Sequence, residues 1–176
     1  KNMKKNINKK RGTVLWITGI SGSGKTTISK LIYKKFQKKY GPTIIFQGDE
    51  LRKIFNFKDY SKLGRISNGL IFSDLIKKIS EQGINVIISV IGMFDIIRDR
   101  NRKNIDNYIE VYIQCKISNV LKKTKKRHYR SKKDIVGIDI KPEFPKKPHI
   151  KIVNNFKKSP KTMSEEILYK IDKNFI

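Results

Sequence analysis

The sequence predicts a three-layer α/β/α fold: a mostly parallel five-stranded sheet with helices on both faces. Three observations predict it. Short, continuous apolar runs rich in β-branched residues recur along the chain, and such runs read as strands buried on both faces. Amphipathic stretches of helical period separate them. Strands alternating with helices imply parallel pairing, with crossover helices covering the sheet. The length of 176 residues suits one domain whose core needs no staple. No internal repeat or second core is visible.

The elements follow in order. Residues 1–12, "KNMKKNINKKRG", are basic and polar and read as a disordered tail, leaving one domain over 13–176. "TVLWIT" (13–18) is the first buried strand. Residues 26–39 carry Ile28, Leu31, Ile32 and Phe36 at helical spacing, and Gly41-Pro42 stops that helix. "TIIF" (43–46) is the second strand. "GLIFSDLIKKISEQG" (69–83) is an amphipathic helix closed by Gly83. "INVIISV" (84–90) is the third strand, and a polar helical stretch follows it. "YIEVYIQC" (108–115) is the fourth strand, and "SNVLKKTKKRHYR" (118–130) a very basic helix. "HIKIV" (149–153) is the fifth strand. "TMSEEILYKIDKNF" (162–175) is a closing helix with a Thr or Ser cap. The segment 131–148 holds three prolines and little periodicity, so it reads as a long ordered loop, part of a lid over about 122–148.

Composition limits the function classes. No apolar run approaches the ~20 residues of a membrane span, and the start lacks the apolar region of a secretory signal. Cys115 is the single cysteine, so no internal disulfide can form and a cytoplasmic location is expected. Lys and Arg number 41 against 15 Asp and Glu, a net charge of +26. Such a charge can serve a nucleic-acid surface. It can equally be compositional drift, because the lysines mark no single face. The sequence carries no known nucleic-acid-reading motif, and drift is the preferred reading. His128 and His149 with one cysteine make no metal cluster. Trp16 is expected in the core, and Cys115 as a buried small side chain.

The strongest motif is Gly19-x-x-x-x-Gly24-Lys25-Thr26, a complete Walker A pattern between a buried strand and a helix. Glycines let backbone N–H groups turn inward around phosphate oxygens, and the helix N-terminus adds its positive dipole end. Lys25 is expected on the β/γ-phosphates and the Thr26 hydroxyl on Mg²⁺. The plainer reading is a glycine turn joining strand to helix. The combined context favours ATP or GTP, held by Gly19, Ser21, Gly22, Ser23, Gly24, Lys25, Thr26 and Thr27. That makes the fold P-loop kinase-like. Asp49 follows the second strand, where ligands bind in open α/β sheets. It can accept a proton from an attacking hydroxyl or hold the magnesium shell, or it can cap a helix starting at Glu50. Arg52 follows at i+3, and Arg65 and Asn68 are spaced alike. Guanidinium groups suit phosphate or sulfate, although surface salt bridges use the same spacing.

"WITGISGSGKTT", "QGDELR", "YSKLGRISN", "RDRNR" and "VGIDIKPEFPKKP", in this order, resemble adenylylsulfate kinase (APS kinase) from about residue 12 to 155. The resemblance implies phosphorylation of the 3′-hydroxyl of adenosine 5′-phosphosulfate by MgATP. It implies Asp49 as base and magnesium-associated carboxylate. It implies acceptor contacts from Arg52, Tyr60, Arg65, Asn68, Ile91, Gly92, Phe94, Gly137 and Ile138. Tyr60 stands where the family stacks a Phe on the acceptor base. Lys126 or Arg127 on the lid, with Lys25 and Asp49, is expected to act on the transferring group. The resemblance also implies a homodimer.

The departures are specific. The family's Asp-Gly-Asp is Gln47-Gly48-Asp49, and its Ser-Pro-aromatic is Gly92-Met93-Phe94. Its second base-stacking Phe is replaced by Ile135 or Val136, and its lid helix reads "KTKKRHY" here, keeping Lys126 and Tyr129. Losing one ring face costs on the order of 1 kcal/mol of stacking. Three readings follow. The first is an APS-kinase-type phosphotransferase. The second keeps the reaction and changes the acceptor to another nucleotide, such as cytidine diphosphoramidate. The third is a basic P-loop protein acting on nucleic acid.

Overall fold

The structure, a computed structural model, describes residues 11–123 and 134–175. Five strands form one wholly parallel sheet: β1 Val14–Thr18, β2 Thr43–Gln47, β3 Asn85–Val90, β4 Tyr108–Gln114 and β5 Ile150–Val153, in the order β2-β3-β1-β4-β5. Six helices are described: α1 Lys25–Tyr40, α2 Gly48–Ile54, α3 Lys62–Ser80, α4 Asp95–Asn104, α5 Ile117–Lys123 and α6 Pro160–Asn174. Alternate residues of each inner strand point to opposite faces, and both faces are buried. On one face Val14, Trp16, Val86, Ile88, Tyr108 and Tyr112 pack with Phe72 and Ile76 of α3 and Ile97 of α4. On the other, Leu15, Ile17, Ile87, Val111 and Ile152 pack with Ile28, Ile32 and Phe36 of α1 and Ile167 and Ile171 of α6. Double-sided burial is why these strands read as unbroken apolar runs.

Several boundaries differ from the sequence reading for local reasons. α3 starts seven residues earlier than its apolar period, because the Ser61 side chain caps it by accepting from Gly64 N. It also stops at Ser80, ahead of Gly83, whose φ is +81. α6 is capped by Ser159, not by Thr162 or Ser164, and Pro160 occupies its first turn. At the N-terminal end, Gly12 N donates to Ser80 O at 2.7 Å and Arg11 pairs with Glu81 and Asp106, so the ordered chain reaches back at least to Arg11. From 134 to 149 the chain has no helix or strand, only an isolated bridge between Val136 and Ile140. No helix among the described residues is long and apolar enough to cross a membrane.

Candidate active site

The carboxyl ends of β1, β2 and β3 open into one cavity of about 560 Å³, where open α/β sheets bind ligands. Its floor is the loop between β1 and α1. Gly22 and Gly24 have φ of +74 and +93, in the left-handed region that favours glycine. Ser21, Gly22, Lys25 and Thr26 line the cavity. Gly19, Ser23, Gly24 and Thr27 do not. Gly19 packs below the loop, where a Cβ would meet Ile113 O at 2.6 Å and Ser23 Oγ at 2.7 Å. Ser23 is buried, and its carbonyl accepts from Asn154 Nδ2 at 2.9 Å, which ties the loop to the chain after β5. Thr27 lies exposed on α1.

Lys25 is buried, and its ammonium donates to Ile20 O at 2.7 Å. Burial pushes its pKa down to about 8, with the Asp49 carboxylate pulling the other way. Cys115 lies close enough to feel Lys25, and burial raises its thiol pKa. The cysteine is buried, as expected, at the end of β4.

The facing wall comes from α2 and α3. Asp49 sits in the first turn of α2, exposed to the cavity. It does not cap the helix: the N-cap is Gln47, without a side-chain bond. Arg52 is buried and donates through Nη2 to Phe57 O at 3.0 Å and Asp59 O at 2.8 Å. Its guanidinium lies 3.9 Å from the Tyr60 ring centroid, with that of Arg65 at 5.4 Å. Arg65 donates from Nε to Tyr60 O at 2.8 Å and from Nη2 to Asp134 O at 2.9 Å. Burial and the charge of Arg52 lower its pKa. Arg52, Tyr60 and Arg65 all line the cavity. Asn68 is buried behind it, and its Nδ2 finds no partner among the described residues.

The third wall is the chain after β3, with Val90, Ile91, Gly92 and Phe94. Gly92 has φ +47 and lies against the Trp16 indole, where a Cβ would come within 2.9 Å of the ring. Trp16 is core, as expected, and also lines the cavity. The fourth wall is Asp134, Ile135 and Val136. Gly137 and Ile138 do not reach it. The Asp139 carboxylate accepts from Ile135 N at 2.8 Å, closing a tight turn that leaves Ile138 about half exposed. Lys126, and with it most of the basic lid stretch, lies outside the described residues.

The sequence marked Gln47 only as a lost carboxylate and did not show what its amide does. Its amide is buried between α1 and β3: Nε2 donates to Ser29 Oγ at 3.3 Å, and Oε1 accepts from Ser89 Oγ. Ser29 Oγ in turn donates to Thr26 O at 3.0 Å. Phe72, Gly69, Ser89 and Ile97 also line the cavity unforeseen. For Ser89 the signal was available, since it stands near the carboxyl end of a buried strand. No group of three or more His, Cys, Asp or Glu that could hold a metal ion occurs among the described residues. The available oxygen donors, the Thr26 hydroxyl and the Asp49 carboxylate, suit Mg²⁺ shared with phosphates and water.

The chain is similar to known kinases in sequence and in fold. The sequence profile of the adenylylsulphate kinase family matches residues 11–153. The chain is 38% identical over 147 residues to the cytidine diphosphoramidate kinase of Campylobacter jejuni subsp. jejuni, covering 81% of this chain and 85% of that one. It is 35% identical over 153 residues to the adenylyl-sulfate kinase of Clostridium acetobutylicum, covering 82% and 76%. Among solved structures, the APS kinase of Mycobacterium tuberculosis with AMPPNP and APS superposes with a TM-score of 0.80 at 24% identity, over 92% of this chain and 98% of that one.

Proposed function

Because the chain belongs to the adenylylsulfate kinase family, and is a phosphotransferase, we propose that it moves the γ-phosphoryl group of ATP to the ribose 3′-hydroxyl of a nucleotide with an anionic 5′ diphosphate-like group, with cytidine diphosphoramidate as the leading acceptor. The observation that carries the transfer is the shared cavity. One cavity is lined by Lys25 and Thr26 on one side and by Asp49, Arg52, Tyr60 and Arg65 on the other.

The triphosphate lies on the loop from Gly22 to Thr26, under the inward N–H groups and the α1 N-terminus. Thr26 and Asp49 would hold Mg²⁺, which would supply positive charge to stabilise the transferring phosphoryl group. Lys25 neutralises charge on the transferring group. Asp49 orients the hydroxyl and accepts its proton as the new O–P bond forms and the bond to the bridging oxygen of ADP breaks. Arg52 and Arg65 hold the acceptor's anionic end. Tyr60 offers its ring face to the base.

Two observations favour the cytidine acceptor. Aliphatic Ile135 and Val136 form the wall where the resemblance implies a second aromatic ring. The relative at 38% identity is a kinase named for that nucleotide. Adenosine 5′-phosphosulfate is the second reading, favoured by the family profile and by the 35% identical adenylyl-sulfate kinase. ADP release measured with each acceptor decides between them. The expected result is a higher kcat/KM for cytidine diphosphoramidate; robust turnover of adenosine 5′-phosphosulfate at micromolar KM overturns the assignment.

A further inference from the structure

We propose that Glu143 is a positioning residue for the acceptor site, fastening the fourth wall of the cavity to the second and third. α4 begins without a cap of its own: its N-cap is Phe94, which has no side-chain hydrogen bond to give. The missing acceptor comes from the middle of the 134–149 segment. Glu143 Oε2 accepts from Asp95 N, the first residue of α4, at 2.7 Å. A carboxylate on a free helix N–H is a charge-assisted bond. The same residue is held through its backbone. Glu143 N donates to Met93 O at 2.8 Å, and Glu143 O accepts from Arg98 Nη2 at 2.5 Å. The other oxygen, Oε1, takes Lys62 Nζ of α3 at 3.2 Å.

The Lys62 pair is solvent-exposed on both sides, so it contributes little. The bonds to α4 and to the chain after β3 carry the fastening. They matter because Arg98, almost wholly buried, also donates from Nη1 to Gly92 O at 3.0 Å. Gly92 and Phe94 are cavity wall, and so are Ile135 and Val136 in the same segment as Glu143. One residue therefore ties together two walls it does not itself line, its backbone holding Met93 and Arg98 and its carboxylate fixing the start of α4. The Asp95 bond, with Lys62, also holds the Glu143 carboxyl below the usual glutamate range. The ATP side is not connected to it by any of these bonds.

The inference rests on the acceptor reading above, and the test separates the two. Steady-state ADP release is measured for the full chain and for Glu143→Gln and Glu143→Ala, varying ATP and acceptor separately. Truncation to alanine is expected to raise the acceptor KM about tenfold, the size of one lost charge-assisted bond, with the ATP KM within about twofold. Glu143→Gln keeps an oxygen for Asp95 N and should recover most of the loss. An unchanged acceptor KM, or equal rises in both KM values, overturns the role. Should neither acceptor be turned over by the unmodified protein, the functional reading fails. The fastening is then read from hydrogen exchange of the 135–140 amides: faster exchange in both variants, most in alanine, supports it, and unchanged protection overturns it.

Discussion

On the proposed mechanism, removing Asp49 separates chemistry from binding. Asp49→Ala is expected to lower kcat by orders of magnitude while ATP affinity, measured by calorimetry, stays within a few-fold. Near-normal turnover would remove Asp49 as the base. Lys25 gives a pH signature. In the native chain its pKa is about 8, against the ordinary 10.5. Between those values the unfolded chain holds the proton and the folded chain does not, so stability rises with pH across that window. A triphosphate reverses the preference by favouring the ammonium. ATP binding should therefore take up as much as about half a proton at pH 8 and weaken as pH rises further. Calorimetry in buffers of different ionisation enthalpy measures that uptake directly. Gln47 shows where sequence stopped being legible. The pattern from Gly19 to Thr27 could be read because its own residues are neighbours in the chain. The role of Gln47 depends on Ser29 and Ser89, which only the fold brings together. Its amide gives a hydrogen to Ser29 while Ser29 gives one to the Thr26 carbonyl. Gln47→Glu lacks that donor, and the resulting shift at Thr26 should raise the magnesium concentration needed for half-maximal rate.

The helices were legible where packing set their period and illegible where a cap set their start. α1 shows its buried stripe of Ile28, Ile32 and Phe36 in the sequence. α3 begins at Lys62, and Leu63 in its first turn is exposed, so no buried apolar residue announces that turn. Ser61 does that, and caps look like ordinary loop serines until the N–H groups they satisfy are seen. The same logic predicts that Ser159→Ala destabilises the protein by about 1 kcal/mol through α6, read as a lower urea midpoint at constant slope. β4 carries a different surprise. Glu110 is fully buried between Tyr108 and Tyr112, 2.6 Å from Arg102 and 3.7 Å from Arg98. It reads as polar alternation in an apolar run. Removing it as Glu110→Ala takes from Arg102 its nearest buried carboxylate, while Arg98 keeps Asp95 and the Gly92 and Glu143 carbonyls, and should cost about 1–3 kcal/mol, visible as a fall in thermal midpoint.

Taken whole, the molecule is a strongly cationic body, +26 in charge, with its cavity at one end of a buried sheet. A field of that size raises encounter rates with anionic nucleotides and is screened by salt. Its parallel sheet has a temporal consequence. Every ladder joins distant chain: Thr43 with Asn85, Val14 with Val86, Val14 with Tyr108, Val111 with Ile150. No tight hairpin can seed such pairing, and each closure spends loop entropy before any contact rewards it. During synthesis the central strand β1 emerges first, yet its partners β3 and β4 emerge much later. The ribosome therefore releases the β1–α1 loop long before the sheet that shapes it can close.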